Sequence, residues 1–450
     1  MKVVIINPVN QGRGPNAFRP PFGLLCISSV LLKRHVEVVW IDADVLRDHD
    51  RVMQLIGEHP DADLLATGGM HSCYPYIKQL FKDLVARHNT IPTILGGRIA
   101  SSIKHILWAY IPGIDMLCEQ EGEPVIDALI NNLPNWENTP GIQYKKDGQL
   151  IVNPPAATIS ALERIPNLPW HFLSDHYFPK GVGFLLTGRG CPFKCHFCRV
   201  EDQPTEKYRT IEMDEIMKDV RYMIEQRKVS KIIIIDELFM QKKSRVMEFC
   251  QRIKEFKIEW RCSTRGDSIT EADLPLLHAM RDAGCRELNV GLETGSREML
   301  VRMNKKLNLE RAERSIQLVR QTGMAINPTF IFAYPGETRK TALESIRWRK
   351  KMNLPGGYFY ATPYPGSELY NEWIAKHNYS IEMEEKLLTQ SLSLKNFRVN
   401  MTDMPDWRVK LLNAECLFRL NPLNYNYYHY IRKPLRALRK QLIAAVRHER

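Results

Sequence analysis

Short runs of apolar residues alternate with helix-length segments along the first 132 residues. Five of these runs have strand length: VVIIN, VEVVWID, DLLATGG, PTILGG and IDMLCEQ. Continuous apolar runs are typical of parallel strands, which are covered by helices on both faces. The pattern therefore predicts a five-stranded, doubly wound parallel α/β sheet of Rossmann type over residues 1–132. In such a sheet, ligands bind beyond the carboxyl ends of the strands.

The α/β rhythm stops after this domain and then returns. Prolines punctuate residues 133–178, which we interpret as a linker that wraps instead of packing. From 179 to 380 six further strand runs alternate with helices, which predicts a partial (β/α)6 barrel with its chemistry at the carboxyl-terminal mouth. We expect residues 381–450 to be a helical region.

Length and composition exclude several classes of protein. A chain of 450 residues exceeds one typical core, and 44% hydrophobic with 25% charged residues is not the composition of a disordered chain. No stretch reaches the ~18 consecutive apolar residues of a membrane span, and the opening MKVVIINPVN lacks the pattern of a secretory signal. We therefore expect a cytoplasmic protein.

Half of the net charge of +12 lies in the last twenty residues. Residues 431–450 contain seven basic residues and one acidic residue, with leucines on one side of a predicted helix. Such a helix can make peripheral contact with an anionic membrane. The alternative is a helix docked on the barrel with a solvated basic face. We do not expect a nucleic-acid partner, because the tail lacks the short alternating strands of an added RNA-binding barrel.

The sharpest chemical signal is the segment GRGCPFKCHFC after the first strand of the second domain. Cys191, Cys195 and Cys198 are spaced so that three thiolates can hold three irons of a four-iron, four-sulfur cluster. The fourth iron is then open to a substrate. Gly188 and Gly190 allow the loop to fold tightly around the cluster.

Two other interpretations of the cysteines remain. One is a structural zinc site completed by His196 or by Cys262 from another strand. The other is a set of unrelated buried thiols, since cysteine is often a small core residue. The spacing, the glycines and the position after a strand together favour the iron–sulfur cluster.

With these features the chain, up to about residue 380, resembles radical S-adenosylmethionine (radical SAM) enzymes of the subclass with an amino-terminal cobalamin-binding-like domain. The resemblance implies that S-adenosylmethionine binds the open iron. An electron from the cluster would then cleave it to a 5′-deoxyadenosyl radical. It also implies a small-molecule or lipid substrate and an electron donor such as flavodoxin or ferredoxin.

The resemblance also implies contacts to S-adenosylmethionine. Phe197 matches the aromatic residue that lies near the adenine, and Asp236 or Glu237 in IIIIDELF matches the acid that binds the methionine amino group. Arg265 in WRCSTRGD is a candidate partner for the methionine carboxylate. Glu293 in NVGLETGS resembles the acid that contacts the ribose. Alternatively, the acids 236 and 237 form a plain strand-end ion pair with the arginine, and the glutamate of the fourth strand caps the next helix.

The fifth strand ends in TFIFAYPGET, which is similar to the adenine-side loop of these enzymes. Ala333 stands where a glycine is frequent in the family.

The first domain resembles the same subclass in RPPFGLLCISSVL, ILGGRIASS and CEQEGEPVIDAL. The resemblance implies bound cobalamin, with Met70, His71, Gly97 and Glu121 as candidate contacts. The Asp-x-His-x-x-Gly signature of other cobalamin proteins is absent, as it often is in this subclass. His71 is the candidate for approaching the cobalt, against the alternative of a solvated loop histidine.

The implied activity is cobalamin-dependent methyl transfer to an unactivated carbon of a small metabolite, natural product or lipid. Radical cyclisation or rearrangement without methyl transfer, radical-type RNA modification and a non-catalytic zinc scaffold are the alternatives. A second cluster on Cys26, Cys73 and Cys118 is a further idea, but their sequence contexts do not match the methylthiotransferases that carry one.

Overall fold

The computed structural model describes residues 1–12, 18–157, 167–198, 208–389 and 399–420. Two sheets, each flanked by helices, organise this part of the chain. Within it, no helix combines the length and the apolar character needed to cross a membrane. The basic tail predicted to form a helix lies outside the described residues.

The first domain is the predicted doubly wound sheet with an added hairpin. Its strands run in the order β2-β1-β3-β4-β5-β6-β7, the first five parallel and the last two antiparallel. Its strands are β1 Lys2–Asn7, β2 Glu37–Asp42, β3 Leu64–Gly68, β4 Thr93–Gly96, β5 Met116–Cys118, β6 Ile142–Lys146 and β7 Gln149–Val152. Its helices are α1 Phe22–Lys33, α2 Ala43–Leu46, α3 His49–Gly57, α4 Tyr74–Ala86, α5 Arg98–Tyr110 and α6 Gly122–Asn132.

The hairpin β6–β7 lies inside the segment interpreted as a wrapping linker, so that interpretation is wrong for residues 142–152. Asp147 and Gly148 both have positive φ at the turn, the backbone of a two-residue type I′ hairpin. The Asp147-Gly148 pair between two strand-length runs is the sequence signal for this hairpin. We interpreted the segment as a linker because prolines lie on both sides of it.

Alternation along β1 explains why this sheet is covered on both faces. Val3 and Ile5 pack with α1 and α6, whereas Val4 and Ile6 pack with α3 and α4. All four side chains are essentially inaccessible to solvent. The carboxyl edge of the sheet is therefore the part of this domain left open for a ligand.

The second domain is a half-barrel of six parallel strands in the order β15-β14-β13-β12-β11-β8. Its strands are β8 Val182–Leu185, β11 Lys231–Ile234, β12 Glu259–Arg265, β13 Cys285–Glu293, β14 Ala325–Phe332 and β15 Phe359–Tyr360, and β9 Gly188–Arg189 pairs with β10 Arg209–Thr210 as a short antiparallel ribbon. Its helices are α7 Met213–Arg227, α8 Lys243–Ile253, α9 Leu274–Asp282, α10 Arg297–Arg302, α11 Leu309–Gln321, α12 Arg339–Lys351 and α13 Glu368–Lys376.

The outer face of the half-barrel is apolar and its inner face is polar. Trp260 on β12 packs against Phe239 and Phe249 in the large outer core. The next residue along the strand, Arg261, lies on the other face and pairs with Glu287.

Two further helices, α14 Ile381–Thr389 and α15 Asp406–Leu420, follow the half-barrel, as predicted for the carboxyl-terminal region. Helix α14 lies on α4 and α5 of the first domain, where Glu384 contacts His105 at 3.0 Å and Leu388 packs in the core. Helix α15 packs on α12. The carboxyl-terminal region therefore links the two domains.

Candidate active site

The cysteine loop begins directly after β9, at the carboxyl edge of the second sheet. The main chain of His196 holds it at two points: its N–H donates to the Met303 carbonyl at 3.1 Å, and its carbonyl accepts from Leu369 N at 2.8 Å. The Cys198 N–H donates to the Cys195 carbonyl at 2.8 Å, which closes a tight turn. The three cysteines thus lie at the mouth of the half-barrel, as the sequence predicts.

Burial is the main influence on these thiols. It raises the pKa of Cys195 to about 11, against the opposing effect of the nearby Lys305 and Arg265 charges. Burial also raises the pKa of Cys191. Neutral thiols must lose their protons to bind metal, and the two cations beside Cys195 favour the thiolate. The donor set of three thiols beside positive charge fits an iron–sulfur cluster.

The structure places Cys262 away from this loop. Its thiol is fully buried in the outer core and contacts Cys285 on the neighbouring strand. Among the described residues, no group of three or more His, Cys, Asp or Glu side chains is arranged to hold a single metal ion. The placement of Cys262 does not support its role as a fourth zinc ligand.

Asp236 closes the base of the cysteine loop. Its carboxylate accepts hydrogen bonds from Thr187 N at 2.7 Å, from Thr187 Oγ1 at 2.5 Å and from the Tyr208 hydroxyl at 2.8 Å. Burial raises the pKa of this acid to about 6, and the hydrogen bonds oppose the shift. Because Thr187 precedes the loop and Tyr208 follows it, Asp236 joins its two ends.

The adjacent acid has a different environment. Glu237 is exposed and lines the cavity between the two domains, and its charge acts on Cys191. Of the two acids that the sequence offered for the methionine amino group, Glu237 is the one that faces open space.

A tight approach explains Gly188. A Cβ atom at this residue would lie 2.7 Å from the Tyr208 ring and 2.8 Å from the Arg209 carbonyl. A side chain here would force β9 and β10 apart.

Arg265 is buried at the end of β12. Its Nε donates to Asp267 at 2.7 Å, its Nη2 donates to the Lys305 carbonyl, and its guanidinium lies 4.0 Å from the centre of the Phe193 ring. The ion-pair partner is therefore Asp267, and not Asp236 or Glu237, which follow β11. Its pairing with the methionine carboxylate stays a prediction.

Glu293 ends β13 with a left-handed backbone, φ 64°. Its Oε1 accepts a 2.8 Å hydrogen bond from Lys305, and its Oε2 accepts one from Thr329 at 3.4 Å. The carboxylate thus does not cap the next helix, which Ser296 precedes. Lys305 also lies 5.8 Å from the ring centre of Phe197 in the cysteine loop.

Lys305 is a site residue that our sequence reasoning missed. It is buried, and although burial alone would lower its pKa, the charges of Glu293 and Cys195 raise the pKa overall. The available signal was the Lys-Lys pair in MNKKLN, shortly after the fourth strand of the half-barrel. Such a pair on a loop usually indicates a solvated surface, so the signal was weak.

The fifth barrel strand, β14, also ends in left-handed backbone. Ala333 has φ 62°, and its N–H donates to the buried carboxyl group of Glu337 at 2.6 Å. This conformation accounts for the frequent glycine at the matching family position.

A cavity of about 490 Å³ lies between the domains. The first domain contributes the carboxyl ends of β1, β3, β4 and β5, and the second domain contributes Leu186, Arg189, Ile235 and Glu237. Three residues predicted to contact a corrin, Met70, Gly97 and Glu121, line this cavity.

The fourth candidate, His71, is not among the lining residues. Its side chain is buried, and its ring lies 4.8 Å from that of Tyr364 in the second domain. The histidine is therefore not a solvated loop residue, and its approach to a cobalt ion stays a prediction.

Glycines form part of the cavity floor. Gly97 has φ 78°, and a Cβ atom there would lie 2.9 Å from the main-chain nitrogen of Gly69. A Cβ atom at Gly68 would lie 2.6 Å from the Gly96 carbonyl. The close approach of these loops requires glycine, and Gly68, Gly69, Gly96 and Gly97 line this part of the cavity without side chains, which fits a large ligand such as a corrin.

Cys26, Cys73 and Cys118 are buried in three different apolar clusters. Burial raises the pKa of Cys26 and of Cys118 to about 12. Buried thiols of this kind are typical of core residues, but Cys73 and Cys118 also line the interdomain cavity, and Cys26 Sγ accepts a hydrogen bond from Arg189 at 3.0 Å.

The chain is similar to known proteins in sequence and in fold. Residues 185–349 match the radical SAM superfamily model. The chain is 26% identical over 394 residues to an uncharacterized methyltransferase of Pyrococcus horikoshii, across 84% of each protein.

Two solved structures share the fold. One is the cobalamin-dependent S-adenosylmethionine radical enzyme OxsB with aqua-cobalamin and S-adenosylmethionine bound (TM-score 0.68, 18% identity, 87% of this chain and 56% of OxsB). The other is the radical S-adenosylmethionine methyltransferase TsrM from Kitasatospora setae with cobalamin and a [4Fe-4S] cluster bound (TM-score 0.66, 18% identity, 84% of this chain and 75% of TsrM).

Proposed function

We propose that the chain is a radical SAM enzyme of the subclass with an amino-terminal cobalamin-binding-like domain, and that it catalyses cobalamin-dependent methyl transfer to an unactivated carbon of a small polar substrate. One observation supports this most directly. The cavity between the domains is bounded on one side by the glycine-lined edge of the first sheet and on the other by residues next to the cysteine loop.

Each part of the site has a role in this proposal. Cys191, Cys195 and Cys198 would hold the cluster, and Met70, Gly97 and Glu121 would form the walls of the corrin site. When bound, the cluster supplies the electron that cleaves S-adenosylmethionine, and the corrin carries the methyl group. The protein would hold the corrin in the interdomain cavity and the cluster on the loop beside it.

For S-adenosylmethionine, we assign Glu237 to the methionine amino group, because both oxygens of Asp236 already hold the loop ends. Lys305 orients the carboxylate of Glu293 toward its predicted ribose contact. The ring of Phe197 would contact the adenine.

The inner face of the half-barrel favours a polar substrate over a lipid. Arg261 donates to Glu287 at 2.9 Å, and Asn327 donates to Asn289 at 2.9 Å across the neighbouring strands. Inward positions of a closed β/α barrel are usually filled by bulky apolar side chains. A polar, partly accessible row there offers hydrogen bonds to a substrate.

Peripheral membrane contact through residues 431–450 stays a proposal. The helix before the tail offers some support, since Trp407, Leu411 and Phe418 are exposed and lie on one side of α15. An apolar stripe followed by a basic segment is the composition of an interfacial helix.

Corrin binding is tested with two matched glycine variants. Gly97 and Gly148 both have φ 78°, but only Gly97 lies in the cavity, and a Cβ atom at Gly148 meets no atom within 4 Å. Protein reconstituted anaerobically with hydroxocobalamin is desalted, and the retained corrin is measured by absorbance.

We expect wild-type protein and Gly148→Ala to retain the corrin and Gly97→Ala to lose it. If wild-type protein retains none, cobalamin-dependent methyl transfer is wrong, and the cyclisation or rearrangement alternative takes its place.

A further inference from the structure

Two carboxylates of the first domain pair with arginines at the two ends of the cysteine loop. Glu121 accepts hydrogen bonds from Arg209 at 2.6 and 2.8 Å, in a two-pronged arrangement. Glu123 accepts one from Arg189 at 2.7 Å, and Arg189 also lies 3.6 Å from Glu121. The four side chains form one connected charged group, the interdomain network.

The interdomain network is buried. Its side chains are between 5% and 14% exposed. Burial alone would raise the pKa of Glu121, but Arg209 and Arg189 lower it overall, so the carboxylate remains charged. Replacing a buried ion network of this kind by apolar side chains often leaves a protein equally stable or more stable. A contribution to stability therefore does not explain the interdomain network, whereas a role in fixing the position of the cysteine loop does.

The network contacts both parts of the proposed site. Arg189 on β9 and Arg209 on β10 are directly paired on the ribbon that closes the loop, and Arg189 is two residues before Cys191. Glu121, Glu123 and Arg189 also line the interdomain cavity. A molecule in the cavity would therefore touch the groups that hold the ends of the cysteine loop.

We propose that Glu121 and Glu123 position the cysteine loop through Arg209 and Arg189, and thereby couple occupancy of the interdomain cavity to cluster binding. This inference rests on the proposed function. The four residues are positioning residues, because they act through the loop and not on the reacting atoms. The coupling is reciprocal: if the cluster orders the loop and raises corrin affinity, the corrin raises cluster affinity by the same factor.

The chain provides a matched control for this coupling. Glu119 is two residues from Glu121 and also lines the cavity, but its carboxylate pairs with Lys104 and accepts from Gln143 within the first domain. Glu119→Gln thus removes a charge from the same wall without touching the loop. Glu121→Gln removes the charge that holds Arg209.

The experiment measures hydroxocobalamin affinity by equilibrium dialysis, on anaerobic protein with its cluster and on the same protein after chelation of the iron. We expect the wild-type protein and Glu119→Gln to bind the corrin at least about 5-fold more tightly with the cluster than without it. In Glu121→Gln this ratio falls to near one. A merely structural role would weaken binding equally in both forms and leave the ratio unchanged.

If Glu121→Gln shows no cooperative thermal transition, Arg209→Gln replaces it and is judged by the same ratio. A wild-type ratio near one, an unchanged ratio in the variant, or an equal loss in Glu119→Gln overturns the inference and leaves the proposed function intact. A wild-type protein that retains no corrin in either form overturns the proposed function, and the inference with it.

Discussion

Lys305 donates a 2.8 Å hydrogen bond to Glu293, and both side chains are about one-tenth exposed. After Glu293, the last residue of β13, the chain forms α10 and then folds back. Lys305, twelve residues downstream, therefore lies next to the end of β13. This ion pair joins the fourth barrel strand to the cysteine loop. It also leads to the first prediction.

Lys305→Met should destabilise the protein by about 3 to 5 kcal/mol, because it leaves a buried carboxylate without its partner. Lys306→Met is the matched control, since that neighbour is exposed. The free energy of unfolding is measured by denaturant titration. Equal stability of the two variants would show that the pair contributes nothing to folding.

Cys195→Ala should abolish cluster assembly, because three thiolates are needed to hold three irons. Cys262→Ala should retain the cluster, since its thiol lies in the outer core against Cys285. Iron and sulfide analysis after anaerobic reconstitution checks both variants. Loss of metal from Cys262→Ala would instead favour the four-ligand zinc site.

The buried side chain of Asp219 on α7 predicts a pH dependence of stability. Burial raises its pKa to about 7, although Trp170 donates to it at 2.7 Å. The folded protein holds this proton up to about pH 7, whereas the unfolded chain releases it near the ordinary value of 3.8. The contribution of Asp219 to stability is therefore complete below about pH 4 and is lost as the pH rises to 7, by about 1.4 kcal/mol per pH unit.

Asp219→Asn should remove this pH dependence while keeping an acceptor for the indole. Asp214→Asn, on the exposed side of the same helix, should retain it. Unfolding free energies at pH 5, 6, 7 and 8 give the comparison. A wild-type curve parallel to that of Asp219→Asn would contradict the assignment.

Truncation after Leu420 should leave cluster and corrin binding unchanged, because the residues that hold both groups lie earlier in the chain. Sedimentation with vesicles containing anionic lipid should detect the full-length protein and not the truncated one. The binding should weaken as the salt concentration rises. Equal sedimentation of both forms would locate any membrane contact elsewhere.

The pattern of hydrophobic residues predicted most of the fold. The parallel strands of both sheets were predicted from runs such as VVIIN and IIIID, because strands covered by helices are rich in apolar residues. The β6–β7 hairpin was not predicted, because its turn signal, Asp147-Gly148, lies in a segment punctuated by prolines. The three loop cysteines were predicted as ligands from their spacing, the neighbouring glycines and their position after a strand, and they lie at the mouth of the half-barrel.

The contacts between side chains could not be predicted from the sequence. No pattern indicates that Asp236 faces inward to Thr187 while Glu237 faces the cavity, because the direction of a side chain after a strand end depends on the loop. The Arg189–Glu123 pair joins residues 66 positions apart and forms only when the two domains meet. Such contacts depend on the tertiary structure.

The most direct measurement of the central claim is nucleoside analysis of the reconstituted protein. Anaerobic protein with iron, sulfide and hydroxocobalamin is incubated with S-adenosylmethionine and a low-potential reductant, and the products are separated by mass spectrometry. We predict 5′-deoxyadenosine from reductive cleavage and S-adenosylhomocysteine from methyl donation. Protein that contains zinc in place of iron and leaves S-adenosylmethionine intact would contradict the account.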